Sequence, residues 1–169
     1  MERDISILKE TALFKDLTVE QIRNLLSISK KVLFSENDII IKEGEVGDTM
    51  HIMLEGTVEV AKSLIIEGMD NKITGKDKVF TKLNVGQHAV FGEITLLEEC
   101  RRTATVRAVT DCVLYEIKKD DFLRLAGEDY ELGYRVLLNL SRIVSSRLRK
   151  ADEDTIKLTT VLSIILKEL

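Results

Sequence analysis

Gly92, Glu93, Arg102, Thr103 and Ala104 are the residues of this 169-residue chain whose types and spacing could do chemistry, and all lie in the stretch FGEITLLEECRRTATV at 91–106. Gly92 lacks a Cβ and tolerates backbone angles and close approaches that other residues do not. A single helical turn over 93–97 would leave its first N–H groups, those of Ile94 and Thr95 among them, without intrahelical partners and open to an anion. Arg102 offers a planar fork of donors that matches phosphate oxygens and keeps its charge. Glu93 repels a phosphate but can accept a hydrogen bond from a sugar hydroxyl. Taken singly, a glycine before a carboxylate reads as a turn and an arginine at a strand start as a solvated ion pair; together they describe a sugar-phosphate site.

Three kinds of element must position these residues. Residues 5–30 read as helical, with Ile5, Leu8 and Ala12 at helical spacing and a second helix opening at Thr18, where Thr18 and Gln21 fit a capping box. From 31 to 117 short runs rich in Val, Ile, Thr and Phe are broken by Gly, Asn and Asp, which predicts many short antiparallel strands. Met50, Ile52 and Leu54 alternate toward one face, and Val58 and Val60 return after Glu55 and Gly56 as a hairpin. The polar segment 67–78 reads as an exposed hairpin tip. A last hairpin joins Ala104, Val106 and Ala108 to Val113, Tyr115 and Ile117 around Thr110 and Asp111. Strands of this kind imply a sandwich or jelly roll.

Beyond residue 131 the period is helical again. Val144, Leu148, Ala151, Thr155, Leu158, Leu162, Ile165 and Leu169 recur at alternating steps of four and three, which is the seam of a coiled coil. The first part of this helix, over 131–140, could instead pack on the strands. A domain at 1–130 and a C-terminal dimerisation helix at 131–169 follow from this reading.

Composition narrows the function classes. With 44% hydrophobic and 32% charged residues the chain makes one globular domain with a proper core and an appended helix. A net charge of −4 and a pI near 5.4 argue against a nucleic-acid surface over the whole chain. No leader or membrane-length apolar run is expected, so the cytoplasm is the default. Cys100 and Cys112 lack metal-ligand spacing and read as reduced thiols; His51 and His88 are too few for a metal site and receive no role. No nucleophile–base or paired-carboxylate arrangement predicts catalysis.

The 91–106 stretch resembles the phosphate-binding cassette of the cyclic nucleotide-binding domain family, in which F-G-E is followed by small or apolar residues and then by R-x-A about nine residues after the glutamate. The resemblance reaches Leu13, Phe14 and Leu17, the glycine-bearing segment 44–56, and Leu83-Asn84-Val85-Gly86, and covers roughly residues 12–150. His88 stands where relatives more often carry an aromatic and Arg101 where they often carry proline.

The resemblance implies an α+β, mainly β fold: a jelly-roll β-barrel with N-terminal helices, a short cassette helix and a long C-terminal helix. It implies a non-catalytic module whose ligand is a cyclic nucleotide, with no cofactor and no metal. Gly92, Glu93, Ile94, Thr95, Arg102, Thr103 and Ala104 would surround the sugar phosphate, and Arg147 would reach the base from the C-terminal helix. Thr103 is compatible with cyclic GMP in the family, yet cyclic AMP is favoured over cyclic GMP on base rates for bacterial-looking modules. A homodimer through residues 134–169 is expected, with no membrane contact, no direct DNA binding and an unknown effector. Two other readings stay open: a degenerate pocket on a dimerisation module, and the effector domain of a transcription regulator without its DNA-binding part.

Overall fold

The computed structural model describes residues 2–67, 73–85, 90–98 and 100–167, and the backbone alone at 63–67 and 73–80. Helix α1 (Glu2–Lys9) leads through a 3-10 turn (Ala12–Phe14) to α2 (Val19–Ser27). Eight strands follow, β1 (Lys30–Phe34), β2 (Ile39–Ile41), β3 (Thr49–Glu55), β4 (Thr57–Glu67), β5 (Ile73–Asn84), β6 (Val90–Phe91), β7 (Thr105–Ala108) and β8 (Cys112–Lys118), with α3 (Ile94–Leu97) between β6 and β7. Helices α4 (Lys119–Glu128) and α5 (Tyr130–Lys167) close the chain. At Thr18 the expected capping box is present: its hydroxyl accepts from Gln21 N at 3.1 Å and Gln21 Oε1 accepts from Thr18 N at 3.0 Å.

The strands form two four-stranded antiparallel sheets, ordered β1-β8-β3-β6 and β2-β7-β4-β5. The fold is the expected mainly β architecture with flanking helices, built as two facing sheets. Neither expected hairpin forms a ladder. β3 pairs with β8 and β6, whereas β4 pairs with β5 and β7 in the other sheet; β7 and β8 likewise belong to different sheets. The cause lies in β3, which is buried on both faces. Met50, Ile52 and Leu54 pack toward the helices while Met53 packs between the sheets, so β3 is a central strand with both edges taken. Gly56, at φ +103°, carries the chain across to the second sheet, and a Cβ there would fall 2.6 Å from Asp111 O and 2.7 Å from Cys112 Sγ. The two crossings are pinned together, since Val109 N donates to Thr57 O at 2.8 Å and Thr57 N to Thr110 Oγ1 at 3.1 Å.

The predicted hairpin tip at 67–78 is shorter than its composition implies. The β4–β5 ladder runs out to Glu67 opposite Ile73, so residues from 73 onward are strand; 68–72 lie outside the described residues. β5 is the edge of its sheet among the described strands.

Helix α4 has no counterpart in the sequence reading; its signals are Asp120 and Asp121 in the first turn and a buried Phe122. α5 buries Leu132, Gly133, Val136, Asn139, Leu140 and Ile143 against the same core as α1, α2 and β3. At Gly133 a Cβ would lie 2.7 Å from Ala126 Cβ, so glycine sets the approach of α4 to α5. Asn139 Nδ2 donates to Leu13 O (2.9 Å) and Lys15 O (2.7 Å), which ties the 3-10 turn to α5. From Leu148 to Lys167 every residue of α5 is exposed.

A buried polar cluster fixes α1. The Tyr115 hydroxyl donates to Asp4 Oδ2 at 2.5 Å, Lys31 Nζ lies 2.9 Å from the same oxygen, and the Lys31 ammonium sits 5.7 Å from the Tyr115 ring centroid. The Tyr115 hydrogen bond and then Lys31 hold the Asp4 carboxyl below its ordinary value, while burial, and then the neighbouring Asp4, push the Tyr115 phenol up to about 12. A hydrogen bond to a charged group contributes ~1.5–3 kcal/mol, so Tyr115→Phe is expected to lower the unfolding free energy by that amount in urea. A loss below about 0.5 kcal/mol would show that Lys31 alone holds Asp4.

Candidate ligand-binding site

Arg102 is the centre of the site, and it is only 8% exposed. Its Nη1 donates to Thr49 O (2.8 Å) and Thr95 Oγ1 (2.7 Å), with Gly92 O at 3.4 Å, and its Nη2 donates to Thr49 Oγ1 at 2.8 Å. Thr95 Oγ1 donates its own hydrogen bond to Gly92 O at 3.0 Å, so its hydroxyl oxygen is oriented to accept from Arg102. Burial draws the guanidinium below its ordinary value and Asp48 opposes that shift; an arginine stays charged through such changes.

Two glycines make room for it. Gly92 has φ +75°, and a Cβ there would lie 2.9 Å from Arg102 Nη1 and 3.0 Å from Thr49 O. At Gly47 a Cβ would fall 2.2 Å from Arg102 Nε. The role of Gly47 escapes sequence reasoning, because its partner is 55 positions away and nothing local announces a passing guanidinium. The loop that carries Gly47 is bonded to the arginine's own backbone: Gly44 N donates to Arg102 O (2.9 Å) and Arg102 N to Glu45 O (2.8 Å). Arg101 is exposed and donates through Nη1 to Gly44 O at 2.8 Å, and so belongs to this clamp.

Glu93 is 5% exposed and stands just before α3, where its carbonyl accepts from Leu96 N (3.1 Å) and Leu97 N (3.2 Å). One carboxylate oxygen lies 2.6 Å from Arg147 Nη1, and Arg147 Nη2 donates to Val90 O at 2.5 Å. The sequence reading placed Arg147 against a base. Here its guanidinium is engaged with the carboxylate expected to hold the sugar, so one residue of α5 touches the cassette directly.

A cavity of about 780 Å³ brings all eight expected residues together: Gly92, Glu93, Ile94, Thr95, Arg102, Thr103, Ala104 and Arg147 line it. Its far wall is apolar, with Ile41, Val60 and Leu83 from the strands. Ala151, Thr155 and Leu158 of α5 also line it, although their spacing marked them only as seam residues. A buried guanidinium, a buried carboxylate and an apolar wall in one cavity suit a ligand with an anion, hydroxyls and a flat apolar ring. Among the described residues no group of His, Cys, Asp and Glu could hold a metal, and no helix is long and apolar enough to cross a membrane.

A second layer lies behind the cassette. The His51 ring, 2% exposed, stacks on Phe91 with centroids 5.2 Å apart and an interplanar angle of 12°. Its Nε2 is 3.2 Å from Glu116 Oε2, and its Nδ1 is buried without a partner among the described residues. Burial drops the imidazole to about 4, against the opposing pull of Glu116. Nothing local in the sequence assigns His51 a role, because its partners sit on β6 and β8. His88 lies outside the described residues.

A family profile described as the cyclic nucleotide-binding domain matches residues 31–129. A cGMP-dependent protein kinase of Drosophila melanogaster is 33% identical over 125 residues, which cover 72% of this chain and 10% of the kinase. The cyclic AMP receptor protein of Thermus thermophilus is 26% identical over 145 residues, covering 86% of this chain and 61% of the receptor. The chain thus spans less than two thirds of either relative. Among solved structures, the Thermus thermophilus catabolite activator protein superposes with a TM-score of 0.73 at 26% identity over 88% of this chain and 63% of that one. A cyclic nucleotide-binding domain from Methylobacillus flagellatus reaches 0.75 at 24% identity over 90% and 80% of the two chains, a likeness of fold.

His51 generates a test that needs no ligand. Its folded value near 4 lies below the ordinary 6.5, so the unfolded chain binds the extra proton between them. Stability from this group is complete above the upper value and is lost as pH falls through the window, at roughly 1.4 kcal/mol per pH unit. His51→Phe, which keeps the stack on Phe91, is expected to flatten urea-derived stability between about pH 6 and pH 5. An unchanged slope would mean that His51 is protonated in the folded protein.

Proposed function

This chain belongs to the cyclic nucleotide-binding domain family, and on that premise we propose that it is a non-catalytic regulatory module that binds a cyclic nucleotide in the cavity at Arg102 and relays binding through α5. The observation that carries the reading is that buried Arg102 and buried Glu93 face one cavity while Arg147 ties Glu93 to α5. Arg102 neutralises the cyclic phosphate, helped by the N–H groups of Gly92, Ile94 and Thr95. Glu93 accepts from the ribose hydroxyl. Thr103 and Ala104 flank the phosphate, and Ile41, Val60 and Leu83 take the purine.

A ligand that engages Glu93 changes what Arg147 can bond, so it binds one placement of α5 better than another and shifts the population toward it. Cyclic AMP is the nucleotide we favour, as the commoner ligand of bacterial-looking modules, although relatives named for each nucleotide match this chain. The protein acts in the cytoplasm as a homodimer, joined along the α5 seam, where Leu148, Leu158, Leu162 and Ile165 are each at least half exposed.

Calorimetric titration with cyclic AMP and cyclic GMP tests the site. Arg102→Ala is expected to weaken binding by about 2–5 kcal/mol, since it strands a charge-assisted contact. Arg102→Ala binding as tightly as the parent would remove the assigned role, and cyclic GMP winning by more than about tenfold, or 1.4 kcal/mol, would reverse the base preference. Light scattering tests the dimer: Leu162→Glu with Ile165→Glu is expected to give a folded monomer from a dimeric parent.

A further inference from the structure

His51 stands where β3 is paired on both edges, opposite Phe91 of β6 on one side and Glu116 of β8 on the other. Side chains directly opposite on neighbouring strands share a face of the sheet. The three therefore form a row: the His51 ring stacks on Phe91 with centroids 5.2 Å apart, and its Nε2 lies 3.2 Å from Glu116 Oε2. That row reaches the anion site twice. Phe91 precedes Gly92 and lines the cavity, while Thr49, two positions before His51 and so on the same face of β3, gives Arg102 two acceptors. Holding β3 at His51 thus holds both the acceptors of Arg102 and the start of the cassette.

The surroundings of the ring oppose one another. Burial acts most strongly against a charge on it, Glu116 of β8 favours one and Arg102 of the cassette repels one, while β6 presents only the uncharged Val90 and Phe91. Facing a carboxylate, which can only accept, Nε2 carries the hydrogen of the neutral ring. A second proton would go to Nδ1, which is buried with no partner among the described residues. It would set a cation without an acceptor in the field of the Arg102 guanidinium. An anion seated on Arg102 removes much of that repulsion. We propose that His51 is a positioning residue for the anion site, holding Thr49 and the cassette in place as a neutral ring, and that an anion on Arg102 and a proton on His51 favour each other's binding. This rests on the nucleotide-binding reading above and adds to it a proton that travels with the ligand. Because the occupied protein holds that proton more tightly than the empty one, affinity rises as pH falls. The gain is absent well above the occupied midpoint and complete below the empty one, which lies at about 4.

The chain has two histidines, so proton NMR of the imidazoles follows two titrations, and His51→Phe assigns them. With cyclic AMP or cyclic GMP at saturation the His51 midpoint is expected to rise by about one pH unit, the size of shift a neighbouring unit charge produces. Such a shift makes calorimetric affinity of the parent rise about threefold from about pH 6.5 to about pH 4.5. In His51→Phe, which keeps the stack and cannot titrate, that rise is expected to disappear. At about pH 7.5, where the ring is neutral, His51→Ala is expected to bind roughly two- to tenfold more weakly than His51→Phe, since only the alanine loses the stack. The NMR measurement uses the parent chain and stands whether or not the alanine variant folds. An equal His51 midpoint in the empty and saturated protein overturns the inference and leaves nucleotide binding intact. A rise in affinity that persists in His51→Phe overturns it too, because the proton then belongs to the ligand or to another side chain. His51→Ala binding as tightly as His51→Phe removes the positioning role. A parent that binds neither nucleotide overturns the site reading, and this inference falls with it.

Discussion

A guanidinium taken out of water must find acceptors, and most of the architecture around the cavity can be understood as meeting that demand for Arg102. Thr49 supplies two acceptors from β3, and Thr95 a third from α3. Gly47 and Gly92 give up side chains so that the group can pass between them. The 43–47 loop, otherwise a surface excursion, is bonded to the backbone on either side of the arginine. These contacts fix one end of the fork while the cavity wall receives the rest, which is how a positive charge stays buried with no carboxylate bonded to it among the described residues. Preorganisation of this kind spares a ligand the cost of ordering its own binding group.

The exchange of strands between sheets explains why the site lies where it does. β6 belongs to the sheet of β3 and β8, and β7 to the sheet of β2 and β4, so the cassette is the connection that crosses from one to the other. Its residues meet side chains from both sheets: Thr49 and His51 on one, Ile41 and Val60 on the other. A site on a simple hairpin would have only one of these walls. Gly56 makes the matching crossing between β3 and β4, and the closeness of Asp111 and Cys112 to it shows the crossings packed on one another.

Much of this was legible in the residues, and what was not has a common cause. The cassette announced itself because Gly92, Glu93 and Arg102 each carry a specific physical need at short range. The Thr18 capping box was readable for the same reason, with both partners within one turn. Pairing partners were not readable: alternation in Met50, Ile52 and Leu54 is the same whether the next strand lies beside β3 or in the facing sheet. Burial of Met53 and His51 on the opposite face, which decides the matter, depends on strands 40 to 65 positions away. Gly47, the His51 stack and the Arg147–Glu93 pair share that property, since each is a contact between elements remote in sequence.

Helix α5 is asked to serve two faces at once, and its sequence shows the compromise. Ala151, Thr155 and Leu158 line the cavity and also fall on the seam, because both faces lie within one side of a 100°-per-residue helix. A seam built only for stability would carry larger apolar residues at 151 and 155, where alanine and threonine stand. In the proposed dimer, smaller side chains would weaken that part of the two-helix contact and leave room beside the cavity, while Leu158, Leu162 and Ile165 concentrate apolar area farther along. The proposed pairing would thus grip strongly away from the cavity and weakly over it. An interface graded in that way would let the turns nearest the cavity adjust without parting the pair, and this is the property a helix needs if occupancy of the cavity is to be felt beyond the domain.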